Sequence, residues 1–145
     1  MKTVEFSTTT ILSAAPEEVV EHLSDPANHV GLSPLVVAVR DIRRTPDEVR
    51  FTAVERFRFG PLRRDNVIEA SMRLGARTVS GDVVSPGGVR LDYEFRIEAV
   101  AEGTRLVDHY RLSAPFGVLR FAVGQAKKVQ VARGRELARR FSSTR

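Results

Sequence analysis

The stretch PFGVLRFAVGQAKKVQVARGRELARRFSSTR, residues 115–145, decides the fold of this chain. At 100° per residue its apolar side chains share one face of a helix and its basic side chains share the other. We therefore predict one long amphipathic helix over 115–145, begun by Pro115, whose missing N–H costs nothing at a helix start. The apolar face consists of Leu119, Ala122, Val123, Ala126, Val129, Leu137 and Phe141. Such a helix needs an apolar surface to cover, so the preceding residues must supply one.

Polar and small residues interrupt this predicted helix. Gln130 and Arg133 lie inside the apolar face, where a helix that only fills a core would carry Leu or Ala. Gly124 and Gly134 each cost about 1 kcal/mol relative to Ala, so each indicates a bend or the close approach of another element. The polar tail at 142–144 is expected to fray. The two buried polar side chains are the first indication of a cavity beneath the helix.

The composition is that of an ordinary globular protein. With 145 residues, 42% hydrophobic and 28% charged, we expect one domain over 1–145 that buries a real core. The chain has no Cys, which excludes disulfides and thiolate chemistry. No signal peptide or membrane span is recognisable, so we expect a cytoplasmic protein that does not span a membrane. The net charge of +5 permits weak attraction to nucleic acid or anionic lipid.

Before the long helix the chain alternates between strand and turn signals. A first strand at 2–13 is followed by a short helix that starts at Pro16 and is broken by Asp25-Pro26, and by one more turn at 28–32. Period-two patterning then predicts strands at 35–43, 48–59, 62–73, 76–84, 89–99 and 104–114. Short turns between them indicate an antiparallel meander. One sheet face is charged and the other apolar, which predicts an α+β fold in which the terminal helix covers the apolar face.

Three segments resemble a known superfamily. TILSAAPEEV at 10–19, LSDP at 23–26 and GTRL at 103–106 are similar to the helix-grip, or START-like (SRPBCC), proteins. That superfamily includes lipid-transfer START domains, pollen-allergen-like proteins and the polyketide cyclase/dehydrase-like branch. The resemblance implies a curved antiparallel sheet of about seven strands around the C-terminal helix, with two short helices after the first strand and a ligand cavity between sheet and helix. It implies no single reaction.

Polar residues in otherwise apolar strand rows are the candidates for chemistry. Glu55 shares parity with Phe51, Phe57 and Phe59, and Asp108 shares parity with Tyr110. A buried carboxylate is costly unless it is paired, so either acid should pair with Arg133 or have a raised pKa. We assign Glu55 and Asp108 as candidate acid/base residues. The candidate ligand-binding residues are Arg133, Gln130, Tyr93, Tyr110, Phe51, Phe57, Phe95 and Val129.

Other readings of the same residues stay open. An inward carboxylate also occurs at the open end of a sheet, where water reaches it, and a register error of one residue turns the whole row outward. Tyrosines are often core aromatics with a bonded hydroxyl. Arg64 and Asn66 share parity with Ile68 on a weakly patterned strand.

The chain has no Gly-x-Ser-x-Gly elbow, and His22, His29 and His109 lack ligand spacing, so we predict neither a nucleophilic hydrolase nor a metal site.

The basic face of the helix is the main alternative signal. Such a face is usually only solvated, and it lacks the interleaved aromatics of single-strand binders, so we expect no specific nucleic acid. Phe121 lies on its predicted outer side, which indicates a dimer contact, a touch on a membrane surface, or a helix phase that is wrong by one residue. The basic residues are Arg120, Lys127, Lys128, Arg135, Arg139 and Arg140.

The sequence therefore predicts a protein that binds an apolar or aromatic small molecule without a cofactor. A polyketide cyclase/dehydrase-like activity is the sharpest version, in which Glu55 or Asp108 is the base and Arg133 anchors an oxyanion or carboxylate. A non-catalytic carrier that uses the same pocket is the competing class. A partner-binding module that works through the basic helix is the third. The sequence leaves monomer and homodimer equally open.

Overall fold

The computed structural model describes residues 2–85 and 88–142, and it contains seven strands and two α-helices. The strands are β1 (Lys2–Leu12), β2 (Val36–Arg44), β3 (Glu48–Phe59), β4 (Leu62–Leu74), β5 (Thr78–Ser85), β6 (Val89–Val100) and β7 (Gly103–Ala114). The helices are α1 (Pro16–Leu23) and α2 (Leu119–Arg140), with a 3₁₀ helix at Pro26–His29. The predicted order of strand, two short helices, six strands and long helix is confirmed.

The strands form one antiparallel sheet in the order β1-β7-β6-β5-β4-β3-β2. From β2 to β7, strands that follow one another in the chain are neighbours in the sheet, as the short turns require. β1 lies at one end of the order and pairs with β7. The helix α2 packs on β1 and β7. Its side chains Ala126, Val129 and Leu137 are buried against the sheet. The predicted fold class, a curved antiparallel sheet covered by its C-terminal helix, is confirmed.

The predicted start of the long helix at Pro115 is wrong by four residues. The Val118 and Leu119 N–H groups both donate to the Pro115 carbonyl, at 2.9 and 3.0 Å, so residues 115–118 form a turn that reverses the chain after β7. The helix begins at Leu119 and ends at Arg140. The predicted end at Arg145 falls on residues 143–145, which lie outside the described residues.

The other boundaries shift by one or two residues, except at the second short helix. The sequence predicted a turn at 28–32, but the 3₁₀ helix occupies Pro26–His29. Its start is fixed by Asp25, whose side chain accepts a hydrogen bond from the Ala27 N–H at 3.0 Å. Pro26 then stands at the first helical position, where it needs no N–H donor.

One of the two helix glycines marks a close approach. A Cβ at Gly134 would lie 2.8 Å from Thr10 Oγ1, so α2 passes within contact of β1 at this point. A Cβ at Gly124 would meet nothing within 4 Å. Gly134 is therefore required by packing, which was one of the two predicted outcomes.

The sheet opens between two neighbouring strands. β4 pairs with β5 only from Ser71–Asp82 to Leu74–Val79, although β4 pairs with β3 along almost its whole length. If the register continued beyond Ser71, residues 83–85 of β5 would pair with residues 68–70 of β4, but in the described part of the chain no ladder joins them. We call this gap the split. It interrupts the sheet where the sheet borders the space under α2.

Candidate functional site

A cavity of about 370 Å³ lies between the sheet and α2. Strands β3 to β7 supply most of its wall, and α2 supplies the roof. Apolar side chains dominate the lining, including Phe51, Phe57, Phe95 and Val129, four of the residues predicted to bind ligand. The volume is within the usual range for small-molecule sites, which begins at about 300 Å³.

Arg133 brings a positive charge into this apolar space. Its side chain is buried, and its Nη1 donates to Asp108 Oδ2 at 2.7 Å while its Nη2 donates to Tyr110 Oη at 2.6 Å. The guanidinium also lies over the rings of Phe95 and Tyr110, 5.2 and 5.4 Å from their centroids. Burial disfavours its charged form, but the Asp108 carboxylate and Tyr110 outweigh this and hold the pKa of Arg133 above its usual range. The residue is a fixed cation at any working pH.

Asp108 lies behind Arg133, and this departs from the expected position. Asp108 is 4% exposed and does not line the cavity, because the helix passes so close to β7 that Arg133 and Gln130 cover it. The Gln130 side-chain amide donates to the Asp108 backbone carbonyl at 2.9 Å, and Gln130 does not line the cavity either. Asp108 is therefore placed to hold the guanidinium, and Gln130 to hold the Asp108 backbone, both outside the cavity lining.

Glu55 is the candidate acid that reaches the cavity wall. It lies on β3 opposite Asn66 of β4, and both residues line the cavity, as does Arg64. Its Oε1 atom is buried and has no hydrogen-bond partner among the described residues. Burial raises the pKa of this carboxyl group. The sequence predicted that each acid would be paired or have a raised pKa, and Asp108 shows the first outcome and Glu55 the second.

Tyr93 and Tyr110 form part of the same wall on adjacent strands. They are opposite each other in the β6–β7 ladder, and both line the cavity. The Tyr93 ring covers Gly81 of β5, where a Cβ would lie 2.6 Å from the tyrosine hydroxyl. Burial raises the pKa of both hydroxyls, so both are neutral donors near neutral pH. Gly81 is thus what lets a large aromatic side chain lie flat on the sheet.

His29 is a cavity residue that the sequence analysis did not select. It ends the 3₁₀ helix, lines the cavity, and its ring centroid lies 6.2 Å from that of Phe95. Its Nε2–H donates to the Leu23 carbonyl at 2.8 Å, so Nδ1 is the acceptor nitrogen. Burial, together with the nearby Arg133, lowers its pKa to about 4. No spacing signal identifies it, because its position depends on how the 3₁₀ helix folds against β6.

The basic face of α2 is partly used inside the molecule. Arg140 Nη1 donates to the Asn28 carbonyl at 2.6 Å, and its Nη2 donates to the Val30 carbonyl at 3.1 Å. These bonds tie the end of α2 to the loop after the 3₁₀ helix.

Phe121, which was predicted on the outer side, lines the cavity and is 53% exposed, so it stands at the cavity opening.

The described residues show neither a metal cluster nor a membrane span. Within residues 2–85 and 88–142, no group of three or more His, Asp or Glu side chains is arranged to hold a metal ion. None of the helices described is long and apolar enough to cross a membrane.

Comparison with known proteins gives a family match and several structural neighbours. Residues 3–141 match the model of a family described as polyketide cyclase / dehydrase and lipid transport. No curated protein sequence matches the chain. Among solved structures it is similar to the di-domain ARO/CYC BexL from the BE-7585A biosynthetic pathway, with TM-score 0.77 and 14% identity over 99% of this chain and 51% of that chain. This chain therefore spans about half the length of BexL.

Two other neighbours are matched over nearly their whole length. The Zhui aromatase/cyclase from Streptomyces sp. R1128 has TM-score 0.70 and 17% identity, over 98% of this chain and 96% of that chain. TTHA0849 from Thermus thermophilus has TM-score 0.69 and 19% identity, over 99% of this chain and 100% of that chain. At these identities the likeness shows the fold, which is the helix-grip fold.

Proposed function

The chain belongs to the polyketide cyclase/dehydrase and lipid transport family, and we propose that it binds an apolar or aromatic small molecule that carries an oxygen acceptor. One observation carries this proposal. The wall of the cavity is largely apolar, yet it contains the buried guanidinium of Arg133, whose Nε has no hydrogen-bond partner among the described residues. A buried donor without a partner costs about 1–3 kcal/mol. A carbonyl, enolate or carboxylate oxygen of a ligand would remove that cost.

The surroundings of Arg133 support an anchoring role. Its other nitrogens are already fixed by Asp108 and Tyr110, so the guanidinium does not need to reorganise when a ligand arrives. Preorganised donors stabilise a developing negative charge better than mobile ones in a site that excludes water. The ligand oxygen would lie at Arg133, and its apolar body would lie against Phe51, Phe95 and Val129.

Within this proposal, the sharper version is an aldol-type cyclisation followed by dehydration. The Glu55 carboxylate would take a proton from a carbon next to a carbonyl group, and Arg133 would stabilise the enolate oxygen while the new carbon–carbon bond forms. The protonated Glu55 would then give that proton to the new alkoxide, which becomes a hydroxyl. For dehydration, the Glu55 carboxylate would remove the second proton from the same carbon and pass it to the hydroxyl, which leaves as water. A raised pKa suits both roles, because it makes the carboxylate a stronger base and keeps the acid form populated to a higher pH. Asp108 positions Arg133 in this scheme.

A non-catalytic carrier is the second candidate. The observation that favours it is the scarcity of reactive groups, because Asp108 is sequestered and Glu55 is the one carboxylate among the described lining residues. A carrier needs only the apolar wall and the Arg133 anchor. The two candidates share the ligand and differ in whether Glu55 transfers a proton.

The test combines native mass spectrometry with a turnover assay. The purified protein is incubated with emodin and with palmitate to measure binding, and with a linear poly-β-ketone to measure cyclisation. Glu55→Gln should leave emodin binding nearly unchanged and lower turnover about 10²–10⁴-fold. Glu102→Gln, in the exposed turn between β6 and β7, is the matched control and should change neither.

The outcomes separate the two candidates. Binding without any cyclisation by the unmodified protein supports the carrier. If neither emodin nor palmitate binds at concentrations up to the millimolar range, the ligand-binding proposal is overturned together with both versions.

A further inference from the structure

A second cavity, of about 380 Å³, lies on the opposite face of the sheet. Side chains alternate between the two faces of a strand, and most residues lining this cavity have the opposite parity to those lining the first. Its lining includes Arg43, Arg50, Thr52, Glu69, Ser71 and Asp82. We call it the outer cavity, and the space under α2 the inner cavity. The outer cavity is polar where the inner one is apolar.

The two cavities share part of their walls. Phe51 and Ala70 line both of them. Ala70 is the first β4 residue beyond the last pairing with β5, so the shared wall stands at the split. Val83 lines the inner cavity and Val84 lines the outer one, so both spaces also reach the β5 side of the gap. No ladder of backbone hydrogen bonds separates them between Ala70 and Val83.

We propose that the outer cavity is a second subsite for the same ligand, reached through the split. This inference rests on the proposed function of the inner cavity. The ligand is then a two-part molecule: an apolar or aromatic body in the inner cavity, and a polar substituent that passes between β4 and β5 into the outer cavity. A passage at this point would account for the unpaired facing edges of residues 68–70 of β4 and 83–85 of β5, which a sheet normally avoids.

The charges of the outer cavity define the class of that substituent. Arg50 is bound to Glu48 at 2.8 Å, and Asp82 lies 3.7 Å from Arg73 and 3.4 Å from Arg90. The lining itself carries both signs, with acids at Asp41, Glu69 and Asp82 and bases at Arg43 and Arg50, so the cavity does not favour a ligand of strong charge of either sign. Thr52 and Ser71 add hydroxyl groups that both donate and accept. A neutral substituent rich in hydroxyl groups, such as a glycosyl group, matches this mixture of donors and acceptors.

The test compares emodin with its O-glucoside by isothermal titration calorimetry. The unmodified protein should bind the glucoside about tenfold more tightly than emodin, which corresponds to roughly 1.4 kcal/mol. The double variant Thr52→Val/Ser71→Ala, on the outer face alone, should reduce the glucoside to the affinity of emodin and leave emodin unchanged.

A cross-link tests the passage itself. Ala70 and Val83 would be the next pair if the β4–β5 ladder continued, and the chain has no native Cys to interfere. Oxidised Ala70→Cys/Val83→Cys should lose the preference for the glucoside, and reduction should restore it. Oxidised Thr3→Cys/Ser113→Cys, which joins the paired strands β1 and β7, is the matched control and should keep the preference. Ala70→Trp blocks the split without a disulfide and should act like the oxidised variant.

Each result decides between two ideas. Equal affinity for emodin and its glucoside in the unmodified protein overturns the outer subsite but leaves the inner site standing. A preference for the glucoside that survives the cross-link and the Trp substitution overturns the passage through the split. If neither compound binds, the proposed function itself fails, and the subsite fails with it.

Discussion

Arg133 and Asp108 form a buried ion pair, in which Nη1 and Oδ2 are 2.7 Å apart and each side chain is less than a tenth exposed. It joins the second half of α2 to β7, with Arg133 at the cavity wall and Asp108 behind it. A single buried charge at this position would destabilise the folded state by the full cost of its desolvation. The two charges are tolerated together because each compensates the other. Removal of one partner should therefore lower the free energy of unfolding more than removal of both.

Asp108→Leu should lower the free energy of unfolding by about 3–5 kcal/mol, since it leaves the Arg133 charge buried and uncompensated. The double variant Asp108→Leu/Arg133→Met should recover most of that loss, because it removes both charges. Urea denaturation followed by circular dichroism measures both values. A loss below about 1 kcal/mol for the single variant, the range of exposed ion pairs, would contradict this account.

Glu55 should make stability fall as pH rises. Burial raises the pKa of its carboxyl group in the folded state, so the folded protein holds this proton more tightly than the unfolded chain does. The stabilising contribution is present below the ordinary pKa of Glu and is lost as pH rises through the raised value. The stability of Glu55→Gln relative to the unmodified protein should therefore increase with pH. Urea denaturation of both proteins at a series of pH values measures this difference.

His29 should give the opposite dependence. Its pKa is lowered to about 4, so the folded protein holds it neutral where the unfolded chain would take a proton. Its contribution is present above pH 6.5 and is lost as pH falls toward 4, by about 3 kcal/mol in total for a shift of this size. His29→Gln should flatten this part of the stability profile. An NMR titration that places the His29 pKa near 6.5 would contradict the assignment.

The two helix glycines should respond in different ways to the same substitution. Gly124→Ala should raise the free energy of unfolding by about 1 kcal/mol, because a Cβ there meets open space and Ala is the better helix former. Gly134→Ala should show no such gain, since its Cβ would meet Thr10 Oγ1 at 2.8 Å. Adding Thr10→Ala to Gly134→Ala should restore the gain relative to Thr10→Ala alone. Equal gains at both glycines would show that α2 does not press on β1.

Most of the fold could be predicted because its patterns are local. The alternation in β3 and β6 and the turn residues between strands fix the meander, and the 3.6-residue period of α2 fixes its covering face. The start of α2 could not be predicted from Pro115, because a proline suits the first position of a turn as well as that of a helix. The choice between them depends on how β7 reverses direction.

The sequence predicted which residues belong to the candidate site better than it predicted what each residue does there. Arg133 and Glu55 stand out because each breaks an apolar row. The same signal selected Asp108, but parity shows only which face a residue occupies, and it does not reveal that α2 covers that part of the face. His29 gave no signal, because its place in the wall depends on the packing of the 3₁₀ helix. The split is equally invisible, since the β4 sequence is patterned as a strand on both sides of Ser71.

The pairing of β1 with β7 sets the order in which the protein can be assembled during synthesis. Lys2 pairs with Ala114, and Leu12 pairs with Thr104. Among the described residues, β1 therefore has no ladder partner until β7 has been synthesised. The β2–β7 meander, whose contacts are close in sequence, can form earlier and serve as a template. Pairing β1 with β7 closes a long loop at a cost in chain entropy, and α2, which roofs the cavity, packs on both of these strands.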